Sequence, residues 1–495
     1  MTVDDGSPKT QPAVAAPASS EDRIPREVWV VAAAVVIGLA MALLDTTIVN
    51  VALDAIADDL HAGLATIQWV STAYLLTLAV VIPLAGWASE RFGSRCVWLV
   101  AVSVFVLGSA LCGASWSISS LIGFRVLQGV GAGLITPLGM GLIARTAGPA
   151  RMGRVMSVVG VPMLLVPVLG PVLGGVLVDT SSWRWVFYIN IVLGAAALIL
   201  AFRLLPRDAG QTTRPSLDWL GLATLAPGLA GIVFGLSEVQ SHGGLNAPIA
   251  WAPIAAGIVL VAGFIVHARR GRQALIDIRL FGRPPFTAAA ATIFFTGAAL
   301  YGGLFVTPLY YQLARDASPL VAGLLVAPQG IGAALAMPLA GKLTDRHGGG
   351  AVATVGLILV TVATIPLTFV TEHTNYAWLA VVLLVRGLGI GASLMPTNAA
   401  AYSTLERAEI PRATSAISVL QQLGGSIGVT ILAVVLQAHI QGADSNPAEA
   451  FTGAFTWATV LSSIALVAAV TLAVTAHRSR RPSHAQPGAS PAARP

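Results

Sequence analysis

Gly86-Trp87-Ala88-Ser89-Glu90-Arg91-Phe92-Gly93 returns 255 residues later as Gly341-Lys342-Leu343-Thr344-Asp345-Arg346-His347-Gly348. Glycine closes both ends, and an acid followed by arginine holds the same two places in each copy. A looser echo sets Arg125-Val126-Leu127-Gln128-Gly129 with Gly131, Gly133 and Pro137 beside Arg386 with Gly387, Gly389, Gly391 and Pro396, shifted by a few residues. Two copies of one unit in parallel orientation account for both echoes.

The chain around this repeat belongs to a bilayer. Of its 495 residues, 56% are hydrophobic and 10% charged, against roughly 25% charged in a soluble domain. Spanning takes about 20 apolar residues. Fourteen such segments are legible: 28–53, 63–88, 95–115, 117–145, 152–178, 183–205, 216–236, 249–268, 285–313, 319–342, 350–371, 375–403, 411–438 and 451–476. The repeat divides them into a six-helix bundle over 26–206, a linker with two extra helices over 207–270, and a second bundle over 271–476. Residues 1–25 and 477–495 read as disordered tails, and the first lacks the apolar region of a cleavable signal peptide. With the N-terminus placed inside, 24 of the 28 Lys and Arg fall in inside segments. Outside loops hold Arg184 and Arg315, and Arg125 and Arg386 lie within spans. The positive-inside rule then puts both termini in the cytoplasm. A chain rich in Arg and Ala suggests a bacterial cell membrane. The basic balance is topological and implies no nucleic acid. Cys96 and Cys112, 16 residues apart on one predicted helix, are too distant for a disulfide.

Asp45 sits inside the apolar run Val28–Leu53. A carboxylate there costs roughly 2.5–3.5 kcal/mol on insertion scales, so it must pair, face water or take a proton. The first span runs outward, with Asp45 eight residues before Leu53, and the fourth runs inward, with Arg125 eight residues after Ser117. Equal rise places both at similar depth, so the two meet if their helices pack. They form either a proton-coupling site, with Asp45 the carrier and Arg125 its tuner, or a static pair that fixes helix packing.

Taken in order, Leu44-Asp45 to Leu53, the 86–95 loop, Arg125 to Gly129, Gly170-Pro171-Val172-Leu173-Gly174-Gly175, Trp183-Arg184-Trp185 to Asn190 and Gln421-Gln422-Leu423-Gly424-Gly425 form a signature. The chain resembles the fourteen-helix drug:proton antiporters of the major facilitator superfamily, the EmrB/QacA-like group, over about residues 28–476. It departs from that pattern at Asp54, where Pro is usual, at Glu90, where Asp is usual, and at Ser94 and Val166. The resemblance implies an all-α membrane protein of the major facilitator fold: two six-helix bundles plus two inserted helices. It links Arg125 to proton coupling and makes Pro167, Gly170, Pro171, Gly174 and Gly175 an antiporter helix motif. These breakers bend a close-packed helix, as a hinge or seal or as plain packing. Gly86, Glu90, Arg91, Gly93, Asp345 and Arg346 are expected to form a cytoplasmic gate, by capping helix N-termini and pairing with opposite charge across the halves; solvated loop charge is the plainer alternative. Asn50, Gln68, Trp69, Tyr74, Phe295, Tyr301, Gln329 and Arg386 are candidates for a substrate cavity, where aromatic faces suit lipophilic cations. The same residues also serve as lipid-facing or interfacial groups. Arg386 has no acid on the matching helix, and carbonyls, Gln329 or Thr397 can satisfy it.

The expected activity is proton-coupled export of small amphipathic compounds such as drugs, dyes or antibiotics by alternating access. A solute importer or facilitator on the same fold is the alternative. No P-loop sequence and no catalytic constellation is present, so an enzyme is not expected. The expected partners are substrate, protons and lipid, with no cofactor or metal, and a monomer.

Overall fold

The structure, a computed structural model, describes residues 24–480 apart from 149–150, 207–214, 243, 245–246, 272–273, 404 and 443–446. Among the described residues the first half holds α1 (Arg26–Asp59), the short α2 (Leu64–Ile67), α3 (Trp69–Val81), α4 (Leu84–Phe92), α5 (Ser94–Gly113), α6 (Ile118–Ala147), α7 (Met152–Thr180) and α8 (Trp185–Leu204). The hairpin α9 (Trp219–His242) and α10 (Pro248–Arg270) follows. The second half holds α11 (Pro284–Leu309), α12 (Pro319–His347), α13 (Gly349–Thr364), α14 (Tyr376–Tyr402), α15 (Ile410–Gly442) and α16 (Pro447–Arg480).

Among the described residues, twelve helices are long and apolar enough to cross a membrane, and α3 with α4 makes a thirteenth span bent by 56°. Pro83, at the junction, withholds a backbone donor and bends the span. The remaining expected span corresponds to α7, a continuous helix of 29 residues, some of whose side chains lie outside the described residues. One boundary shifts. Helix α16 continues to Arg480, beyond the expected tail start at 477, while residues 1–23, 207–214 and 481–495 of the expected tails and linker lie outside the described residues.

The sequence repeat is also a backbone repeat. Gly93 closes α4 at φ 92, ψ 140, and Gly348 closes α12 at φ 91, ψ 148. Only glycine reaches that region without strain, which explains why glycine ends both copies. Small residues also draw helices together. Gly131 lies against the backbone of Ala101 and Phe105, and Gly387 against that of Gln329. A methyl group at either position would overlap the neighbouring helix.

The cores show how the halves meet. At the basic end one apolar cluster joins Leu138, Ile143, Val155 and Met156 of the first half to Met337, Met395, Ile410 and Ala413 of the second. At the opposite end each half keeps its own cluster, around Ile48, Ile56 and Phe187 in the first and Tyr310, Phe451 and Phe455 in the second. Helix α9 runs along the seam between α3 and α15. Phe234 stacks on Trp69 with ring centres 6.0 Å apart, and Gln240 Nε2 donates to Thr430 Oγ1 at 2.9 Å. Below it, Trp87 Nε1 and Arg91 Nη1 both donate to Pro215 O, at 3.2 and 3.0 Å.

Candidate functional site

Five helices of the first half converge on Asp45. Its Oδ2 accepts from Arg125 Nη1 at 2.5 Å, and its Oδ1 accepts from Gln128 Nε2 at 2.8 Å and Asn190 Nδ2 at 2.9 Å. Asp45, Gln128 and Asn190 are wholly buried and Arg125 is 1% exposed. Arg125 also donates through Nε to Val70 O at 3.0 Å and through Nη1 to Gln128 Oε1 at 2.8 Å. Its guanidinium lies 4.1 Å from the centre of the Tyr74 ring, a cation–π contact that helps hold the charge in place of water. Ser109 Oγ accepts from Gln128 Nε2 at 3.0 Å and Asn190 Nδ2 at 2.9 Å, and donates to Phe187 O at 2.9 Å. The carboxylate therefore meets three donors and one full positive charge. Such a shell makes a buried ion affordable and holds it rigidly.

The structure thus brings Asp45 and Arg125 together and adds Gln128, Asn190 and Ser109, which depth counting does not reach. Gln128 and Asn190 stood in quoted motifs without a role. The signal that finds them is an amide inside an apolar span.

The expected cavity residues divide. Asn50 is exposed and accepts from Ser71 Oγ at 3.1 Å; Gln68 is exposed at the start of α3. Trp69 is 42% exposed but stacks on the inserted helix α9. Tyr74 is buried beneath Arg125 and belongs to the Asp45 site, not to a cavity wall. Phe295 is half-buried edge-on to Phe294, and the Tyr301 ring packs on Gly425. Arg386 is 2% exposed and lines no open surface. Its partners are Gln329 Oε1 at 2.6 Å, Thr364 Oγ1 at 3.3 Å and Ala299 O at 3.3 Å. Thr397 is not among them, because its hydroxyl donates to Ser393 O within its own helix.

Within α7, Gly170 packs on Thr47 and Ile48 and Gly174 on Ile48 and Val51, whereas Gly175 meets open space. These glycines let α7 lie close against α1 beside Asp45. The side chains of Pro167 and Pro171 lie outside the described residues.

At the basic end the two repeated acids cross between the halves. Asp345 Oδ1 accepts from Gly153 N at 2.9 Å in the first turn of α7, and its Oδ2 accepts from Arg154 Nε at 2.7 Å. Glu90 takes Arg412 in bidentate fashion, both bonds at 2.8 Å, and Gly86 lies against Pro411, Arg412 and Ser415 of α15. The repeated arginines do not cross. Arg91 turns to Pro215 of the linker and Arg346 is exposed. Arg154 and Arg412 supply the cations instead, because they lie at the N-termini of α7 and α15, which the acids face.

A profile of the Major Facilitator Superfamily matches residues 35–429 and 307–494. The chain is 41% identical over 404 residues to the "Multidrug resistance protein B homolog" of Mycobacterium tuberculosis (strain ATCC 25618 / H37Rv), covering 81% of this chain and 75% of that protein. It is 33% identical over 453 residues to the "Putative multidrug resistance protein MdtD" of Salmonella heidelberg (strain SL476), covering 90% and 93%. Among solved structures, the human organic anion transporter MFSD10 superposes with a TM-score of 0.63 at 18% identity, over 90% of this chain and all of that one. The proton:xylose symporter XylE gives the same score at 14% identity over 90% of this chain and 95% of that one. At these identities the structural likeness speaks for the fold alone.

Proposed function

Because the chain belongs to the Major Facilitator Superfamily and is a multi-pass membrane transporter, we propose that it exports small amphipathic or lipophilic compounds, drugs and dyes among them, in exchange for protons. The observation that carries the reading is the wholly buried Asp45, held by Arg125, Gln128 and Asn190. An ionisable group inside a membrane bundle is by default functional. Movement of α1 against α6 would part the carboxylate from the guanidinium that now pairs with it.

In the proposed topology both termini are cytoplasmic and the protein lies in a bacterial cell membrane, as the bacterial relatives suggest. The basic end, where Asp345–Arg154 and Glu90–Arg412 join the halves, is then the cytoplasmic gate in its closed state. Asp45 is wholly buried here, so protons from outside reach it when the separate clusters of the two halves part at the other end. Loading neutralises the carboxylate and loosens its tie to Arg125, the halves rock, and release on the inside resets the site. Each charge carried inward draws about 2.3 kcal/mol per 100 mV from the membrane potential. Relatives named for multidrug resistance support the substrate class.

The test is transport of a fluorescent lipophilic cation in proteoliposomes under an imposed pH gradient, native protein against Asp45→Asn. Gradient-driven exchange that disappears in the variant is expected. Exchange that survives at the native rate would remove Asp45 as proton carrier, and movement of substrate down its own gradient with no proton flux would replace export with facilitation.

A further inference from the structure

Asn190 has a feature that its bonds to Asp45 and Ser109 leave unexplained: its Oδ1 is buried without a hydrogen-bond partner. The residue is wholly buried, and an unpaired amide carbonyl in such a place costs free energy. We infer that Asn190 is the proton-responsive partner of Asp45: its amide turns over when the carboxyl is loaded, exchanging an N–H donor to the carboxylate for a C=O acceptor to the carboxylic acid. The inference rests on the proton-coupling reading of Asp45.

The inventory of donors and acceptors around the carboxyl leads to this assignment. A protonated carboxyl must donate its O–H somewhere, yet the shell is built for the ionised form. Arg125 and the Gln128 and Asn190 amide nitrogens present only donors. Ser109 Oγ already accepts twice and donates once, which is the capacity of a hydroxyl. Gln128 Oε1 is held in place by Arg125 Nη1 at 2.8 Å and by Cys112 Sγ at 3.7 Å, so that amide is locked. Tyr74, on α3, donates to Ala42 O at 3.4 Å. The titratable or charged groups around Asp45 are thus Arg125 on α6, Tyr74 on α3 and Cys112 on α5; α7 meets α1 beside it through Gly170 and Gly174. None of these offers a free acceptor aimed at the carboxyl. Asn190 Oδ1 is the one unspent acceptor on a side chain that touches Asp45, and half a turn about χ2 brings it to where Nδ2 now stands, 2.9 Å from Asp45 Oδ1. Ser109 follows by turning its hydroxyl hydrogen from Phe187 O to the amide oxygen. The proton stays on Asp45 throughout, and because Nδ2 moves to where Oδ1 now stands, the buried group without a partner is the amide carbonyl in the ionised state and an amide N–H in the loaded one.

Infrared difference spectroscopy across the pH midpoint tests the turnover, with the side-chain carbonyl of asparagine carbon-13 labelled. In the native protein the acid form is expected to bring a carboxylic C=O band, absent in Asp45→Asn, together with a downshift of one amide carbonyl as it gains a bond. In Asn190→Leu the amide signal is expected to vanish and the carboxylic band to move to higher frequency. Asn190→Ala gives the same readings should the larger side chain unfold the protein, and the native spectrum stands without either variant. If the carboxylic band and the amide region are the same in native protein and the Asn190 variants, the turnover is overturned while the role of Asp45 stands. If no carboxylic band in the native spectrum is removed by Asp45→Asn, both fall together.

Discussion

The Asp45–Arg125 pair, the proposed proton site, is also a structural liability. Removing one member of a buried ion pair leaves the other charge without compensation and costs about 3–5 kcal/mol. Arg125→Leu is therefore expected to lower the thermal midpoint of detergent-solubilised protein sharply. The double variant Asp45→Asn/Arg125→Leu is expected to melt above that single variant, as a double-mutant cycle on Tm will show. A second residue-scale expectation concerns Glu409, which precedes α15 and accepts from Arg283 at 2.9 and 2.6 Å. The Arg283 hydrogen bond holds the Glu409 carboxyl below its ordinary range, against a smaller opposing effect of burial. A lowered folded value means stability that is full above the unfolded pKa, about 4.3, and is lost as pH falls through the folded one. Arg283 is 45% exposed, so the contribution stays within about 1 kcal/mol. Glu409→Gln is expected to lower Tm slightly at pH 7 and to converge on the native protein as pH falls below about 4, so that the acid side of its Tm-versus-pH curve is flatter.

At the scale of helices, α9 and α10 hold together through glycine. Gly257 faces Gly228 O and Ile232, and Gly231 faces Pro253 O. Gly257→Leu must force the two helices apart at an overpacking cost of typically 1–3 kcal/mol. Since Phe234 and Gln240 of the same hairpin reach α3 and α15, the variant is expected to lower the thermal midpoint of detergent-solubilised protein, read by thermal unfolding. Helices are also where the sequence was most and least readable. Counting residues from Leu53 and Ser117 was enough to set Asp45 and Arg125 at one depth, because rise per residue is fixed. The same counting says nothing of rotation about the axis, and rotation decides that Asn190 and Ser109 face Asp45, that Tyr74 lies under Arg125 and that Arg386 points into its own bundle. Glu90 and Asp345 were legible from their repeat as acids that reach across the halves. Their partners Arg154 and Arg412 were not, because those lie in the opposite half, and only the packing of α7 on α12 and of α15 on α4 brings them near.

For the whole molecule, the two halves are joined at the basic end by two ion pairs and a shared apolar cluster. Ser157 sits in that seam, 1% exposed and against Gly341. In a background with Cys96 and Cys112 replaced by alanine and valine, Ser157→Cys is expected to react slowly with a small maleimide. Adding Glu90→Gln and Asp345→Asn removes both cross-half charges, and the rate is expected to rise several-fold as the seam opens more often. An unchanged rate would mean that the apolar cluster alone keeps this end shut.

Asp45, Arg125 and Arg386 are the fully buried charged side chains among the described residues. Their sum is +1 with Asp45 ionised and +2 with Asp45 protonated. The interior is thus an electrostatic hill for cations, and each proton taken up raises it. A cationic passenger is repelled most by the state that carries the proton, so the two can exclude each other without sharing a single contact. For a neutral passenger that repulsion is absent, and the exchange ratio becomes a property of the cargo as much as of the carrier.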